Sequence, residues 1–430
     1  MMAAPPPAGT FHDFMERARR ADRLVVQPRM GFSSVERMRA GLIATRQAAD
    51  WTAGTVTLDS YTRVGDLAAT RRALREGHPL NGYPIVTLGP DTTREMLRGI
   101  RDATFPVQVR HGSAAPGAIF TALMACGLDA TEGGPVSYCL PYGRVPLNVS
   151  VRAWREATRQ LADLAATGVT PHLESFGGCM LGQLCPPSLL VAISVLECMF
   201  FAQQGIASVS LSYAQQTHPD QDAEAVAALR SIASDLLPQV AWHVVIYAYM
   251  GLYPATPAGA GDLLADAARL ARRTGAARLI VKTAAEATQI PTIGDNVTAL
   301  RVAAQAAATV SADTVPANTG PAKGTGIEAE ARAIIEQVLS LNSDLGRALT
   351  AAFAMGYLDV PYCLHPDNAQ RARSYIDADG YIRWGETGAL PVSAGTRSRG
   401  HGLTSGELLH ALSYVRDRYD TSDPALATHR

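Results

Sequence analysis

The chain has 430 residues, 47% of them hydrophobic, and its 38 basic and 39 acidic side chains leave a net charge of −1. That is ample chain for a large core. Neither sign of charge is in the excess that nucleic acid or an anionic membrane surface would require. Length alone suggests two or three domains, but a (β/α) barrel can absorb over half of it as one unit.

The leading segment MMAAPPPAGT has no basic n-region and no apolar h-region, so it does not read as a secretion signal. Residues 1–20 read as a disordered or helical lead that includes the helix candidate FHDFMERARR. β-rich runs follow at LVVQP (24–28), TVTLDSY (55–61), YPIVTLG (83–89), FPVQVRHG (105–112), GPVSYCL (134–140), HLESFG (172–177), ASVSLSY (207–213), VAWHVVIYAY (240–249) and RLIVKT (278–283). Helical segments with apolar spacing of three and four lie between most of them, among them WREATRQLADLAATG (154–168), AEAVAALRSIASDLL (223–237) and AGDLLADAARLARRTG (260–275). Strand–helix alternation at this pace calls for a parallel sheet. Nearly uniform apolar strands flanked by helices favour closure into a (β/α)8 TIM barrel, assigned to residues 21–320. Nine candidates compete for eight places, so one of them, GPVSYCL or YPIVTLG, is an excursion.

The most apolar run, SLLVAISVLECMFFAQ (188–203), is short for a bilayer span and carries Glu197. It reads as a helix buried between barrel neighbours or at a subunit contact. Residues 321–420 form an appended C-terminal α+β subdomain, with a long helical pattern at 327–356 and a hairpin around DADGYIRW (377–384); residues 421–430 are a tail. DADG lacks the other ligands of a calcium loop and reads as a turn. The six cysteines form no C-x-x-C pair and no zinc spacing, so they read as reduced thiols in the core of a cytoplasmic protein.

Three arginines stand at matching places. Arg29 follows LVVQP, Arg63 follows TVTLDSY, and Arg110 ends VQVR. In a parallel barrel the C-terminal strand ends converge on one mouth, where active sites are built. Guanidiniums facing one cavity repel each other and are costly to desolvate unless anions complete them. A guanidinium fork fits a carboxylate in bidentate fashion, so the trio suits a dicarboxylate. The alternative for each arginine is a pair with a rim Asp or Glu. The next loop, TEGGPVSYCLPYG (131–143), offers Glu132, Tyr138 and Tyr142. A carboxylate between phenols could receive an ammonium or act as a general base, or the tyrosines could simply pack.

QPRMG, LDSYTR, PLNGYP, VRHG, EGGPVSYCLPY, IVKTAAEATQIPT and GYLDVPY resemble, in order, the barrel component of adenosylcobalamin-dependent glutamate mutase, the large (epsilon) subunit of methylaspartate mutase. The resemblance runs from about Leu24 to about Tyr419. It implies an isomerase of (β/α)8 fold that caps a cobalamin carried by a separate small subunit and interconverts (S)-glutamate and (2S,3S)-3-methylaspartate by radical rearrangement. It further implies that Arg29, Arg63 and Arg110 grip the substrate carboxylates, and that Glu132 meets the amino group. The resemblance also implies that Tyr138 and Tyr142 hydrogen-bond the substrate, and that Gly31, Asn81, Lys282 and Glu286 position the adenosyl group.

The match departs in places. Where the family strand reads like VFHQW, this chain has Tyr247 for His and Ala248 for Gln. The stretch before the first strand is shorter, and GGCMLGQLCPPS is altered in detail. None of the ten histidines lies in a D-x-H-x-x-G motif, the family's source of the lower cobalt ligand. A partner subunit carrying that motif is therefore expected, in a heterotetramer with a homodimer of the large subunit. His111, with no second ligand spaced near it, reads as a packed residue. Two other readings stand beside this one: a related cobalamin-dependent mutase acting on another amino acid or a 2-oxo acid, and a non-catalytic barrel that binds a dicarboxylate or a partner.

Overall fold

The computed structural model describes residues 9–141, 143–180, 183–310, 326–393 and 404–421. Eight parallel strands follow one another around a barrel: β1 (Val25–Gln27), β2 (Gly54–Thr57), β3 (Val107–Arg110), β4 (Ala130–Gly133), β5 (His172–Ser175), β6 (Ser208–Ala214), β7 (Ala241–Tyr247) and β8 (Arg278–Ile280). Each pairs with its sequence neighbour from β2 to β8, and β8 pairs with β1. Closure between β1 and β2 is made by a parallel bridge from Val26 to Thr52. This is the (β/α)8 architecture. No helix among the described residues is long and apolar enough to cross a membrane.

Two of the nine strand candidates are not strands. In YPIVTLG, only Tyr83 touches the sheet, through a bridge to Leu58. Ile85–Leu97 is helical, interrupted at Gly89 (φ 80°, ψ 167°) and resumed at Pro90. Gly89 tolerates this conformation, and Pro90 suits a first helical turn. GPVSYCL is a buried turn beyond the true strand β4. Its apolar residues are hidden because the turn is buried, which alternation alone does not distinguish from a strand.

The barrel interior is polar. Outward positions such as Val26, Val56, Val109, Leu173, Val209 and Leu279 join the apolar layer under the helices. Inward positions bond across the lumen between strands that are not neighbours. Gln27 on β1 donates to Gln108 on β3 at 2.9 Å. Arg278 on β8 pairs with Glu174 on β5 and donates to Ser210 on β6 at 3.0 Å. Buried polar groups are tolerated only when satisfied in this way.

The helix Phe11–Arg20 closes the N-terminal end of the barrel. It starts on a capping box in which Thr10 and Asp13 satisfy each other's backbone N–H. Its apolar stripe, Phe11, Phe14, Met15 and Ala18, packs on Val25, Ala53 and Ala130. The Phe11 ring stacks on His172 at 5.0 Å and lies under the Arg278 guanidinium, also at 5.0 Å.

The apolar run at 188–203 is the helix Pro187–Gln203, buried on nearly every side within this chain. It packs against β5 and β6 on one side and the helices Ile327–Leu339 and Leu345–Met355 on the other. A helix covered all round is hydrophobic all round. The long helical pattern at 327–356 thus divides in two. Beyond it, β9 (Arg373–Ile376) and β10 (Ile382–Glu386) form the expected antiparallel hairpin. The indole N–H of Trp384 on β10 reaches Glu330 on the first of those helices at 3.1 Å.

Truncating the floor tests its weight. Phe11→Ala should cost about 3–5 kcal/mol of unfolding free energy in denaturant titrations, far more than an exposed substitution on the same helix such as Arg20→Ala.

Candidate active site

The C-terminal strand ends carry most of the candidate residues, in two clusters. The first is centred on Arg110 at the end of β3. Its Nη2 lies 2.8 Å from Glu132 Oε2 on β4, and its Nη1 donates to the Tyr247 hydroxyl at 2.9 Å. Tyr247 closes β7 directly across the barrel, and its hydroxyl reaches Glu132 at 2.8 Å and, by a short contact, Glu174. Tyr138 completes the set by donating to the other oxygen of Glu132. Arg110, Glu132, Glu174 and Tyr247 are all essentially buried.

The charges in this cluster balance: Arg110 and Arg278 against Glu132 and Glu174. The environment drives the two carboxyls apart. Burial lifts Glu132, and the attraction of Arg110 only partly offsets it, so its pKa stands above the usual carboxylate value. Burial also acts on Glu174, but there Arg278 and then Arg110 outweigh it and the pKa falls. Two carboxyls separated in this way mark one as proton-accepting and the other as a fixed anion. Burial opposes the charge on Arg110, but Glu132 and Tyr247 hold it, and its pKa is raised.

Arg63 sits in the short helix Ser60–Val64 after β2, capped by Asp59. Its side chain lies on Gly112: a Cβ there would fall 2.9 Å from Arg63 Cδ. It is thus brought to the loop that follows Arg110, and its Nε is buried without a partner. His111, next after Arg110, packs in an aromatic layer with Phe120. Its ring stacks on Trp154 at 5.7 Å and meets Tyr138 edge-on, while Nδ1 accepts from the Ser113 N–H at 3.0 Å. Burial, with Arg110 adjacent, pushes its pKa down to about 3. The ring is therefore neutral, and the Nδ1 bond leaves the proton on Nε2, toward the Glu132 backbone carbonyl. His111 is the packed histidine expected from sequence, set among Phe120, Tyr138 and Trp154.

The second cluster lies at the ends of β1, β7 and β8. Arg29 approaches Glu286 at 3.5 Å and donates to the Met250 sulfur at 3.6 Å. Lys282 sits over the Tyr253 ring at 4.6 Å and reaches the Gly251 carbonyl at 3.4 Å. Burial pulls the Lys282 pKa down to about 8, with Glu286 opposing and Arg29 assisting. The Tyr253 hydroxyl is buried with no partner.

The pairing alternative therefore holds for two of the three arginines: Arg110 is met by Glu132, and Arg29 by Glu286 at longer range. Asn81 accepts from the Ser60 N–H at 2.9 Å, clipping its turn onto the loop that carries Arg63. Gly31 packs so close to the Thr57 carbonyl that any side chain would collide with it, which accounts for glycine without a ligand. Tyr142 lies outside the described residues. Sequence reasoning missed Glu174 and Arg278 and gave Tyr247 no partners. The available signal was a charged residue inside an otherwise apolar strand, at HLESFG and RLIVKT, the same signal that singled out Arg110.

A parallel barrel with ionisable groups gathered at the carboxyl ends of its strands has the architecture of a barrel enzyme. The family model described as Methylaspartate mutase E chain (MutE) matches residues 5–401, and the chain belongs to that family; mutases are isomerases. The glutamate mutase epsilon subunit of Halobacterium salinarum is 30% identical over 406 residues, covering 91% of this chain and 83% of that protein. Its namesake from Escherichia coli O157:H7 is 29% identical, covering 87% of this chain and 80% of the relative. The one from Treponema denticola is 29% identical, with 90% and 82% covered.

Two outcomes check this geometry. Glu174→Leu strands the buried Arg278 charge and should destabilise by about 3–5 kcal/mol, while Glu174→Leu with Arg278→Met should recover most of that loss in chemical denaturation. Lys282 is one of two lysines in the chain. Lysine NMR of the intact protein should show one ammonium titrating near pH 8, charged below and neutral above, and absent in Lys282→Arg.

Proposed function

We propose that this chain is the large subunit of a glutamate mutase that interconverts (S)-glutamate and (2S,3S)-3-methylaspartate by a radical carbon-skeleton rearrangement, with adenosylcobalamin as cofactor. The observation that carries the reading is the first cluster. Arg63 and Arg110 come from successive strand ends, the Arg63 Nε is buried without a partner, and Glu132 is held between Tyr138 and Tyr247. Family membership supplies the reaction class.

In this mechanism Arg29, Arg63 and Arg110 bind the two substrate carboxylates. Glu132 receives the substrate ammonium, with the Tyr138 hydroxyl fixing its orientation. Closure of the mouth over the bound substrate excludes water and holds the reacting carbons in one geometry. The second cluster fits an adenosyl ribose in its chemistry. Lys282 is a buried ammonium whose hydrogen bond among the described residues is long, Glu286 supplies a carboxylate four residues on, and Tyr253 offers a hydroxyl without a partner among them. When bound, the cofactor supplies radical chemistry through homolysis of its cobalt–carbon bond.

The partner in this reading is a small cobalamin-binding subunit with a D-x-H-x-x-G motif, and the assembly is a cytoplasmic heterotetramer. Exposed apolar side chains on the rim, Tyr61 and Val64 after β2, Leu252 after β7 and Ile290 after β8, support docking at the mouth. The six described cysteines are all free and buried, as a reducing compartment permits.

One observation favours a second reading. Tyr247 ties Arg110 and Glu132 to each other, and a site in which they are so engaged fits a mutase acting on another amino acid. A substrate panel separates the two. Reconstitution with a small cobalamin subunit, adenosylcobalamin and glutamate should form 3-methylaspartate by NMR and a paramagnetic signal on substrate addition. Arg63→Lys should lower kcat/KM roughly 10- to 100-fold through loss of the bidentate fork. A reconstituted complex with neither product nor radical overturns the glutamate assignment.

A further inference from the structure

We propose that Glu197, on the helix Pro187–Gln203 and outside the mouth, is a positioning residue that shapes the turn after β4 and thereby sets Tyr138 against Glu132. The inference rests on the reading of Glu132 and Tyr138 as substrate-facing.

The carboxylate is fully buried on the most apolar helix of the chain, a costly place for an ionisable group. Four donors converge on it. Oε1 accepts the backbone N–H of Val136 at 3.1 Å and of Ser137 at 2.9 Å. Oε2 accepts the hydroxyls of Ser137 at 2.9 Å and of Ser175, the last residue of β5, at 2.8 Å. No Arg, Lys or His is among these partners. Gly134 makes room for this carboxylate, because a Cβ there would fall on the Glu197 carboxylate itself and displace it. The side chain thus takes the place of a strand ladder. It satisfies two backbone donors that would otherwise be buried unmatched, and it fastens the turn to the neighbouring strand end.

The turn leads straight into Tyr138. The Tyr138 N–H closes the turn onto the Gly134 carbonyl at 3.2 Å, and its hydroxyl goes to Glu132. From the other side Ser150 holds the Pro135 carbonyl at 2.8 Å. Glu132 is already gripped by Arg110 and Tyr247 without help from the turn. Glu197 therefore governs the Tyr138 side of the site and leaves the arginines in place. Burial pushes its pKa up to about 7, against the pull of its four donors. Glutamine is a close mimic: its carbonyl can accept the two backbone N–H groups, and its amide can donate to the two serine hydroxyls.

The test compares Glu197→Gln and Glu197→Leu in the reconstituted complex. Glu197→Leu should lower kcat roughly 10-fold or more, with the dissociation constant of glutarate, measured by calorimetry, within about threefold of the parent. In the isolated large subunit, amide exchange at Val136 and Ser137 should accelerate roughly 100-fold in that variant. Glu197→Gln should restore both. If Glu197→Leu fails to fold, Gly134→Ala takes its place. Its methyl displaces the carboxylate and should give the same loss of kcat and of protection, with no further loss when Glu197→Ala is added. Unchanged turnover and unchanged protection in Gly134→Ala overturn the proposal, as does parallel loss of glutarate binding that Glu197→Gln does not rescue. If the parent complex forms no methylaspartate, the glutamate assignment fails, and the amide exchange still decides the role of Glu197.

Discussion

The structure depends on a column of buried charge running up the barrel. Arg278 near the floor pairs with Glu174, Glu174 holds the Tyr247 hydroxyl, and Tyr247 links Arg110 to Glu132 under Tyr138. Two cations and two anions are taken out of water together. The column is tolerable because it is neutral as a whole and nearly every donor has an acceptor; removing any one charge leaves its partner stranded in a low-dielectric interior. It also explains why this lumen is not filled with branched aliphatics. Gln27, Gln108 and Ser210 lie beside Arg278 because a guanidinium has five donors to satisfy.

The rest of the fold serves this column from both ends. The helix Phe11–Arg20 seals the floor with an aromatic face that stacks on His172 and lies beneath the Arg278 guanidinium. This keeps water from the lower ion pair, where the two charges attract more strongly than they would in solvent. At the upper end glycines let the backbone come close. Gly31 seats the loop after β1 on the end of β2, and Gly134 admits the Glu197 carboxylate. The motif glycines therefore report on packing around the mouth as much as on ligand approach.

Tyr247 is the hub at the top of the lumen. Its hydroxyl touches one guanidinium and two carboxylates, and the Arg110 charge lies over its ring at 5.0 Å. One phenol thus joins β7 to β3, β4 and β5 across the barrel.

The alternation of strands and helices, the closed parallel sheet, the C-terminal hairpin and the family were legible in the sequence, because they follow from local periodicity and from rare motifs that survive without long-range information. The place of the arginines at the strand ends was legible as well, but not that Arg110 and Arg29 are met by Glu132 and Glu286. Two strand candidates misled for one physical reason. Burial, not hydrogen bonding, sets an apolar pattern: Tyr83 and Ile85 are buried with Val86 and Leu88 packed on the core, and the turn at Gly134–Leu140 is buried throughout. Which charge meets which was decided by tertiary structure alone. Arg278 and Glu174 are 104 positions apart, and Arg110 and Tyr247 are 137 apart. Only barrel closure brings such residues across one lumen, and a linear pattern carries no record of that distance.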